Sequence, residues 1–202
     1  MKSIKFIYFD VGSVLLDNDI AMQKLAVHVN HQYEEIRNFF DSHCEKANRG
    51  EITTKQYMNL FHAVFDYFHP TGDLADIWTD FQEPIAPMHK LVGEVHKEYR
   101  VGIFSNAELG IMDLEMRKGL VPSIDWNAII VSADHKIIKP EKKIYEIAQK
   151  ASGVSHKEIL FVDDREENVR VAQMFGWKGV VFDPLRPKKS IKEIKKILAS
   201  NK

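Results

Sequence analysis

Ile4-Lys5-Phe6-Ile7-Tyr8-Phe9-Asp10-Val11-Gly12-Ser13-Val14-Leu15-Leu16 joins a short apolar run to a glycine-containing turn through one aspartate. The β-branched and aromatic residues from Ile4 to Phe9 read as a buried strand, which puts Asp10 at its carboxyl end, where open α/β sheets place their ligand crevices. A charge there needs a partner or a task. A second such run, Glu158-Ile159-Leu160-Phe161-Val162, ends in Asp163 and Asp164. Two strands that deliver carboxylates to one sheet edge concentrate negative charge, which is costly unless a proton or a divalent cation intervenes. Mg²⁺ is the simplest such cation.

Between the first strand and the next the pattern is helical. From Asp19 to about Phe81 apolar residues recur three and four apart, in Ile20, Leu25 and Val27, then Ile36, Phe39 and Phe40, then Tyr57, Leu60, Phe61, Val64 and Phe65. No strand signal interrupts this block. Thr53 or Thr54 can cap a helix beginning near Lys55, and Asp73 one leading to Trp78, so an insert of three or four helices is expected over residues 17–83. Phe39, Phe40, Phe61, Phe65, Phe68 and Trp78 read as its core. Pro84-Ile85-Ala86-Pro87 restricts the backbone and marks the return.

After it, helices and strands alternate. Helix Met88 to Glu98, strand Val101 to Phe104, helix near Glu108 to Lys118, strand Ile129 to Val131 and helix Lys142 to Ala151 come first. Strand Ile159 to Val162, helix Glu167 to Phe175 and strand Gly179 to Phe182 follow. This alternation implies an α/β fold, a Rossmann-like parallel sheet with helices on both faces, built from residues 1–16 and 84–202. Ser190 to Ser200 fits an amphipathic terminal helix whose lysines form a solvated face.

Composition narrows the function classes. The chain has 202 residues and a formal net charge of −1, so no global field recruits nucleic acid or an acidic membrane surface. The single cysteine, Cys44, rules out an intramolecular disulfide framework and reads as a packing residue suited to a reducing compartment. Residues 1–3 lead straight into the first strand without an apolar signal region, and no run of about eighteen apolar residues occurs, so a cytoplasmic protein is expected. The scattered histidines, His28, His31, His43, His62 and His69 among them, show no close metal-ligand spacing. Nothing in the pattern indicates an obligate protein partner.

Every central strand ends in residues suited to phosphate or metal chemistry. Ser105 and Asn106 follow Val101-Gly102-Ile103-Phe104 at a helix start, where backbone N–H groups can hold an anion. A loop after Ile129-Ile130-Val131 reaches Lys139-Pro140, and proline in the first turn of the next helix would aim the Lys139 ammonium at the same edge. Asp163 and Asp164 complete the set.

This ordered set resembles the haloacid dehalogenase-like hydrolase superfamily. Phe9-Asp10-Val11-Gly12-Ser13-Val14-Leu15, Phe104-Ser105-Asn106, Lys139-Pro140 and Phe161-Val162-Asp163-Asp164 with Asn168 are similar to its four motifs. The helical insert is similar to the family's helical cap, and the short span from Ser105 to Lys139 leaves little room for a cap elsewhere. Arg49-Gly50-Glu51-Ile52 and the first motif look most like the bacterial branch with sugar-1-phosphate phosphatases and the phosphatase domain of epoxide hydrolase-like proteins. The resemblance implies that Asp10 is the nucleophile that attacks phosphorus, and that Lys139 is catalytic and phosphate-binding. It implies that Ser105 and the Asn106 backbone bind phosphoryl oxygens. Mg²⁺ would be held by Asp10, the Gly12 carbonyl and Asp164, with Asp163 as a second ligand or outer support. Arg49 and Glu51, beside the cap turn, would bind sugar hydroxyls or form a surface pair.

One departure matters. Most phosphatases of the superfamily carry a second aspartate two positions after the nucleophile to protonate the leaving group, and here that position is Gly12. Such general acid–base help is worth about a hundredfold to ten-thousandfold. Substrates with acidic leaving groups suffer least from its loss, which favours a sugar-1-phosphate among small phosphorylated metabolites. Substitute acids would be sought at Asp17, Asp19, His28 or His43. Gly12 also opens two other readings: a metal-independent dehalogenase, which would need an arginine near the start of the cap where none precedes Arg37, and a non-catalytic binding protein. The Asp163-Asp164 pair favours phosphoryl chemistry over the first. The joint presence of Asp10, Lys139 and Asp164 argues against the second.

Overall fold

The computed structural model describes residues 4–200. Its centre is the strand read from the first motif, β1 (Phe6–Phe9), whose four residues are all buried. β2 (Arg100–Ser105) lies on one side of it and β4 (Ile159–Asp163) on the other, while β3 (Ala128–Val131) and β5 (Lys178–Val181) form the edges. The sheet is wholly parallel, in the order β3-β2-β1-β4-β5. The chain order reverses around β1, so the crevice outside its carboxyl end is the switch point of the sheet.

Side chains alternate across the sheet with a period of two. Ile7 and Phe9 pack with Val101, Ile103, Leu160 and Val162 against α5 (Ala86–Val95), α6 (Ile111–Arg117) and α10 (Pro187–Ala199). Phe6 and Tyr8 join Phe104, Phe161 and Trp177 on the other face, under α8 (Lys142–Ser152) and α9 (Glu166–Met174). Trp177 belongs to the interior. The lysines of α10 are exposed, and Ile194 and Leu198 on its other side are buried.

Residues 17–83 hold four helices, α1 (Asn18–Val29), α2 (Tyr33–Asn48), α3 (Thr54–Phe65) and α4 (Leu74–Phe81). They enclose a core of their own, with Leu25, Ile36, Phe39, Phe61, Phe65 and Ile77 at its centre. The caps are those the sequence indicates. Thr53 forms a capping box with Gln56, and Asp73 accepts from the Ala75 N–H at 3.0 Å. Two chain connections tie the insert to the sheet edge: Asp17 N–H donates to Glu83 O and Ile85 N–H to Leu15 O, each at 2.8 Å.

Four local expectations need correction. Val27 and Phe68 are 81% and 50% exposed, because α1 and the segment after α3 turn those positions away from the insert core. The helix expected from Met88 starts at Ala86, with Pro87 in its first turn, where its missing N–H costs nothing. The helix expected from Glu108 begins at Ile111, because Gly110 adopts a left-handed backbone (φ 79°) that ends the preceding loop. Pro140 lies outside α8, whose N-cap is Glu141, so Lys139 and Pro140 belong to a loop joined by a cis peptide bond. A four-residue helix, α7 (Ser132–His135), follows β3 without a sequence signal. Among the described residues no helix is long and apolar enough to cross a membrane.

Gly102 tests the packing at the centre of the sheet. A Cβ there would stand 2.7 Å from Tyr8 Cε1, 2.8 Å from Ala128 O and 2.9 Å from Phe6 Cε1. Gly102→Ala is expected to destabilise the fold by about 1–3 kcal/mol, read as a lower urea midpoint at unchanged slope.

Candidate active site

Register brings the acidic groups together. Phe9 pairs with Val162, so Asp10 and Asp163 leave the sheet side by side, and Asp10 N–H donates to Val162 O at 2.9 Å. The chain then folds tightly on itself: Val11 O accepts from the N–H groups of Val14, Leu15 and Leu16, and Ser13 takes a left-handed backbone (φ 57°). One Asp10 oxygen accepts from Val11 N–H at 2.7 Å, and the other lies 2.9 Å from Lys139 Nζ.

Lys139 is the hub of the site. Its side chain is fully buried, and its ammonium has three protons to donate. They go to Asp10 Oδ2 at 2.9 Å, Asp163 Oδ2 at 2.6 Å and Phe104 O at 2.8 Å. In this arrangement no Lys139 donor is left over for a phosphoryl oxygen. Asn106 holds the Lys139 backbone from both sides, donating through Nδ2 to its carbonyl at 2.9 Å and accepting its N–H at 2.7 Å. The Asn106 amide is therefore spent, and only its backbone faces a ligand.

Asp163 is equally committed. Its oxygens accept from Lys139 Nζ, from Asn168 Nδ2 at 3.0 and 3.1 Å and from Arg165 N–H at 2.8 Å. Asp164 is half-buried beside it. Burial raises the Asp10 pKa, Lys139 pulls it back, and Asp163 and Asp164 push it up again. Asp164 is pushed up to about 6, by burial and then by Asp163. Burial opposes the charge on Lys139, but the two carboxylates outweigh it and hold its pKa above the ordinary lysine value.

The group is short of positive charge, with three carboxylates against one ammonium. One oxygen from each of Asp10, Asp163 and Asp164 lies within 4.8 Å of the others, the one such grouping of acidic, histidine or cysteine side chains found among the described residues. An all-oxygen, doubly negative set of this spacing fits a hard divalent cation. No histidine takes part.

Above the carboxylates, a cavity of about 230 Å³ lies between the sheet edge and the insert. Ser105 and Asn106 line its floor, and Met22, Phe40, Tyr57 and Trp78 contribute from the insert. Phe40 and Trp78 thus serve the cavity as well as the insert core. Cys44 also lines it, beyond the packing role its sequence suggests. A more open groove around Arg100 and Asn127 sits at the amino ends of the strands, remote from the carboxylates.

Gly12 makes room for a neighbour. A Cβ at that position would stand 2.5 Å from Asn18 Nδ2, so the Asn18 amide occupies the space a side chain at residue 12 would need.

The candidate substitute acids are engaged elsewhere and do not line the cavity. Asp17 caps α1, Asp19 accepts from Tyr33 and Gln23, His28 meets the Tyr67 hydroxyl and His43 the Phe39 carbonyl. Arg49 is likewise spent, on Glu45 at 2.9 Å and Glu141 at 2.7 Å, where it ties the end of α2 to the loop before α8. Glu51 is exposed. Neither lines the cavity.

The sequence reading places Ser132 after the strand Ile129 to Val131 without a role, and overlooks Glu115. Ser132 Oγ accepts from Ala107 N–H at 3.0 Å and donates to Asn48 O at 2.6 Å, joining the loop after β2 to the insert. Glu115 stands four residues after Ile111, on the buried side of α6. An acidic residue on an apolar stripe was the available signal. Its Oε1 accepts from Gln82 Nε2 at 2.9 Å, and burial raises its pKa to about 8.

The sequence pattern of haloacid dehalogenase-like hydrolases matches residues 7–182, so the chain belongs to that family. It is 25% identical over 189 residues to a sesquiterpene phosphatase of Aspergillus oryzae, covering 88% of this chain and 89% of the other. Its fold is similar to that of a haloacid dehalogenase family enzyme from Bacteroides thetaiotaomicron, solved with magnesium and inorganic phosphate, at a TM-score of 0.72 and 20% identity, over 90% of this chain and 96% of that one. It is also similar to the L-2-haloacid dehalogenase of Xanthobacter autotrophicus, with chloropropionic acid covalently bound, at a TM-score of 0.68 and 18% identity, over 89% and 77% of the two chains.

Two outcomes follow from these contacts. Lys139→Met leaves Asp10 and Asp163 buried without their cation and is expected to cost about 3–5 kcal/mol in urea unfolding. Native Glu115 keeps its proton up to about pH 8, whereas the ordinary value is 4.5. Between those values the native state binds more protons than the unfolded one, so this residue lowers stability as pH rises. Glu115→Gln should therefore raise Tm relative to the parent at pH 8 and change it little at pH 4.5.

Proposed function

We propose that this chain is a Mg²⁺-dependent phosphatase that acts on a small phosphorylated metabolite through an aspartyl-phosphate on Asp10. The observation that carries the reading is the buried Lys139 ammonium between Asp10 and Asp163, with Asp164 beside them. Family membership, the relation to a phosphatase and the fold shared with a magnesium- and phosphate-bound enzyme support it.

In this reading Asp10, Asp164 and the Gly12 carbonyl hold the cation, while Asp163, already saturated with donors, acts from behind by fixing Lys139 and Asn168. When bound there, a divalent cation would supply positive charge against the phosphoryl oxygens and the charge that develops in transfer. An Asp10 oxygen attacks phosphorus, the bond to the leaving oxygen breaks, and that oxygen takes a proton from water. Water then hydrolyses the aspartyl-phosphate, releasing phosphate and restoring Asp10. Lys139 offsets part of the burial that disfavours the Asp10 carboxylate, and Ser105 with the backbone after it receives the phosphoryl oxygens. The insert, residues 17–83, serves as a cap over the core of residues 1–16 and 84–202, excluding water from the cavity.

Gly12 supports a leaving group that departs without a proton donor. An anomeric hydroxyl is more acidic than an ordinary sugar hydroxyl, so a sugar phosphate, and a sugar-1-phosphate in particular, is the favoured substrate. The cavity argues against the dehalogenase alternative, because no arginine, lysine or histidine lines it to receive a substrate carboxylate. The reading has the enzyme in the cytoplasm, acting without nucleic acid, membrane or an obligate protein partner.

The test is phosphate release from hexose 1-phosphates, hexose 6-phosphates and an aryl phosphate. Turnover should need Mg²⁺, vanish with chelator and vanish in Asp10→Asn, and the 1-phosphates should outrun the 6-phosphates. Release that persists in chelator, or a clear preference for the 6-phosphates, would count against the metal or the substrate assignment respectively.

A further inference from the structure

We propose that the Gln82–Glu115 pair, with Tyr57 and Asn18, forms a subsite for a polyhydroxylated leaving group, and that these residues rather than the Arg49–Glu51 turn select the substrate. The proposal rests on the phosphatase reading and deepens it.

Among the described residues four buried side-chain polar atoms have no protein hydrogen-bond partner and belong to residues that line the same cavity: Gln82 Oε1, Glu115 Oε2, Tyr57 Oη and Asn18 Oδ1. Gln82, Glu115 and Tyr57 are only 6%, 3% and 2% exposed, so bulk water does not satisfy them. Buried polar atoms without partners are rare in native proteins, because each forfeits its hydration and gains nothing in return. Here they come from separate elements: Asn18 from α1, Tyr57 from α3, Gln82 from the connection leaving the insert and Glu115 from α6. Their convergence on one space indicates a ligand that completes them.

The atoms define its chemistry. Asn18 Oδ1 and Gln82 Oε1 accept hydrogen bonds. The Tyr57 hydroxyl donates or accepts, and Glu115, protonated at neutral pH through burial, donates while its other oxygen accepts from Gln82. Hydroxyl groups, each both donor and acceptor, match a mixed set of this kind. A hydrocarbon group would leave all four atoms bare. A second acidic group would be buried without a counter-charge, since no cationic side chain lines the cavity. The cavity volume of about 230 Å³ accommodates a compact polyol.

The experiment compares the full-length protein with Gln82→Met/Glu115→Met, which removes the pair at nearly constant volume, and with Tyr57→Phe. With Mg²⁺, the ratio of kcat/KM for a hexose 1-phosphate over phenyl phosphate should fall by about tenfold or more in the double variant, chiefly through KM, and by about threefold in Tyr57→Phe. Tm should not drop in either. In the Asp10→Asn background, calorimetry should show the same loss of preference in binding. This last measurement stands apart from turnover: a parent protein that binds hexose 1-phosphate selectively but releases no phosphate would sink the phosphatase reading and keep the subsite. An unchanged ratio and unchanged binding preference in both folded variants, or in Tyr57→Phe alone if the double variant does not fold, would overturn the subsite.

Discussion

A single ammonium, buried among carboxylates at the carboxyl edge of the sheet, is the interaction on which the site depends. Lys139 bonds to Phe104 O at the end of β2, to Asp163 at the end of β4 and to Asp10 just beyond β1. It therefore ties the three central strands at the level where chemistry is proposed. A buried ion pair is weak evidence for stability, since desolvation can exceed the Coulombic gain. Its value here is positional: three donors with three fixed acceptors leave the ammonium one place to sit. Asn106 locks the Lys139 backbone, and Asn168 locks the far side of Asp163. Three carboxylates against this one buried ammonium leave an excess of negative charge, and that excess makes the edge receptive to a divalent cation.

The insert completes what the sheet begins. Its connections run side by side at the sheet edge, and Ser132 and Arg49 add polar ties between it and the core. The space between them is lined by aromatic rings and by polar atoms without protein partners. Gly12 belongs to the same design. The absence of a side chain there leaves no proton donor at that position beside Asp10 and admits the Asn18 amide in its place. In the proposed phosphatase reading, the site exchanges general acid–base help for a more polar wall, which would suit a leaving group that is both acidic and rich in hydroxyls.

Much of this was legible in one dimension. The five strands and the four-helix insert follow from periods of two and of three to four, which local side-chain patterns carry. Asp10, Ser105, Asn106, Asp163 and Asp164 could be nominated because each lies at or just beyond a strand end, where sequence position already implies spatial position, and Lys139 because it lies in the connection that follows β3. Arg49, Glu51 and the insert's acids and histidines could not be placed the same way. Their direction depends on how a helix is rotated in its packing, and Arg49 turned to Glu45 and Glu141 instead of the cavity. Val27 and Phe40 carry the same lesson, for an apolar residue on an amphipathic helix can face solvent or a cavity without disturbing the pattern.

The sequence by itself determined the parallel sheet, the insert, the acidic strand ends and the missing side chain at Gly12, because all of these are encoded in neighbouring residues or in short periods. Only the tertiary structure decided that Lys139 spends its donors on Asp10, Asp163 and Phe104, that Asn106 serves Lys139, and that Glu115 pairs with Gln82. These partners lie far apart along the chain. Which polar groups meet in the interior is set by sheet register and by the packing of whole helices, and no local pattern of side chains contains that information.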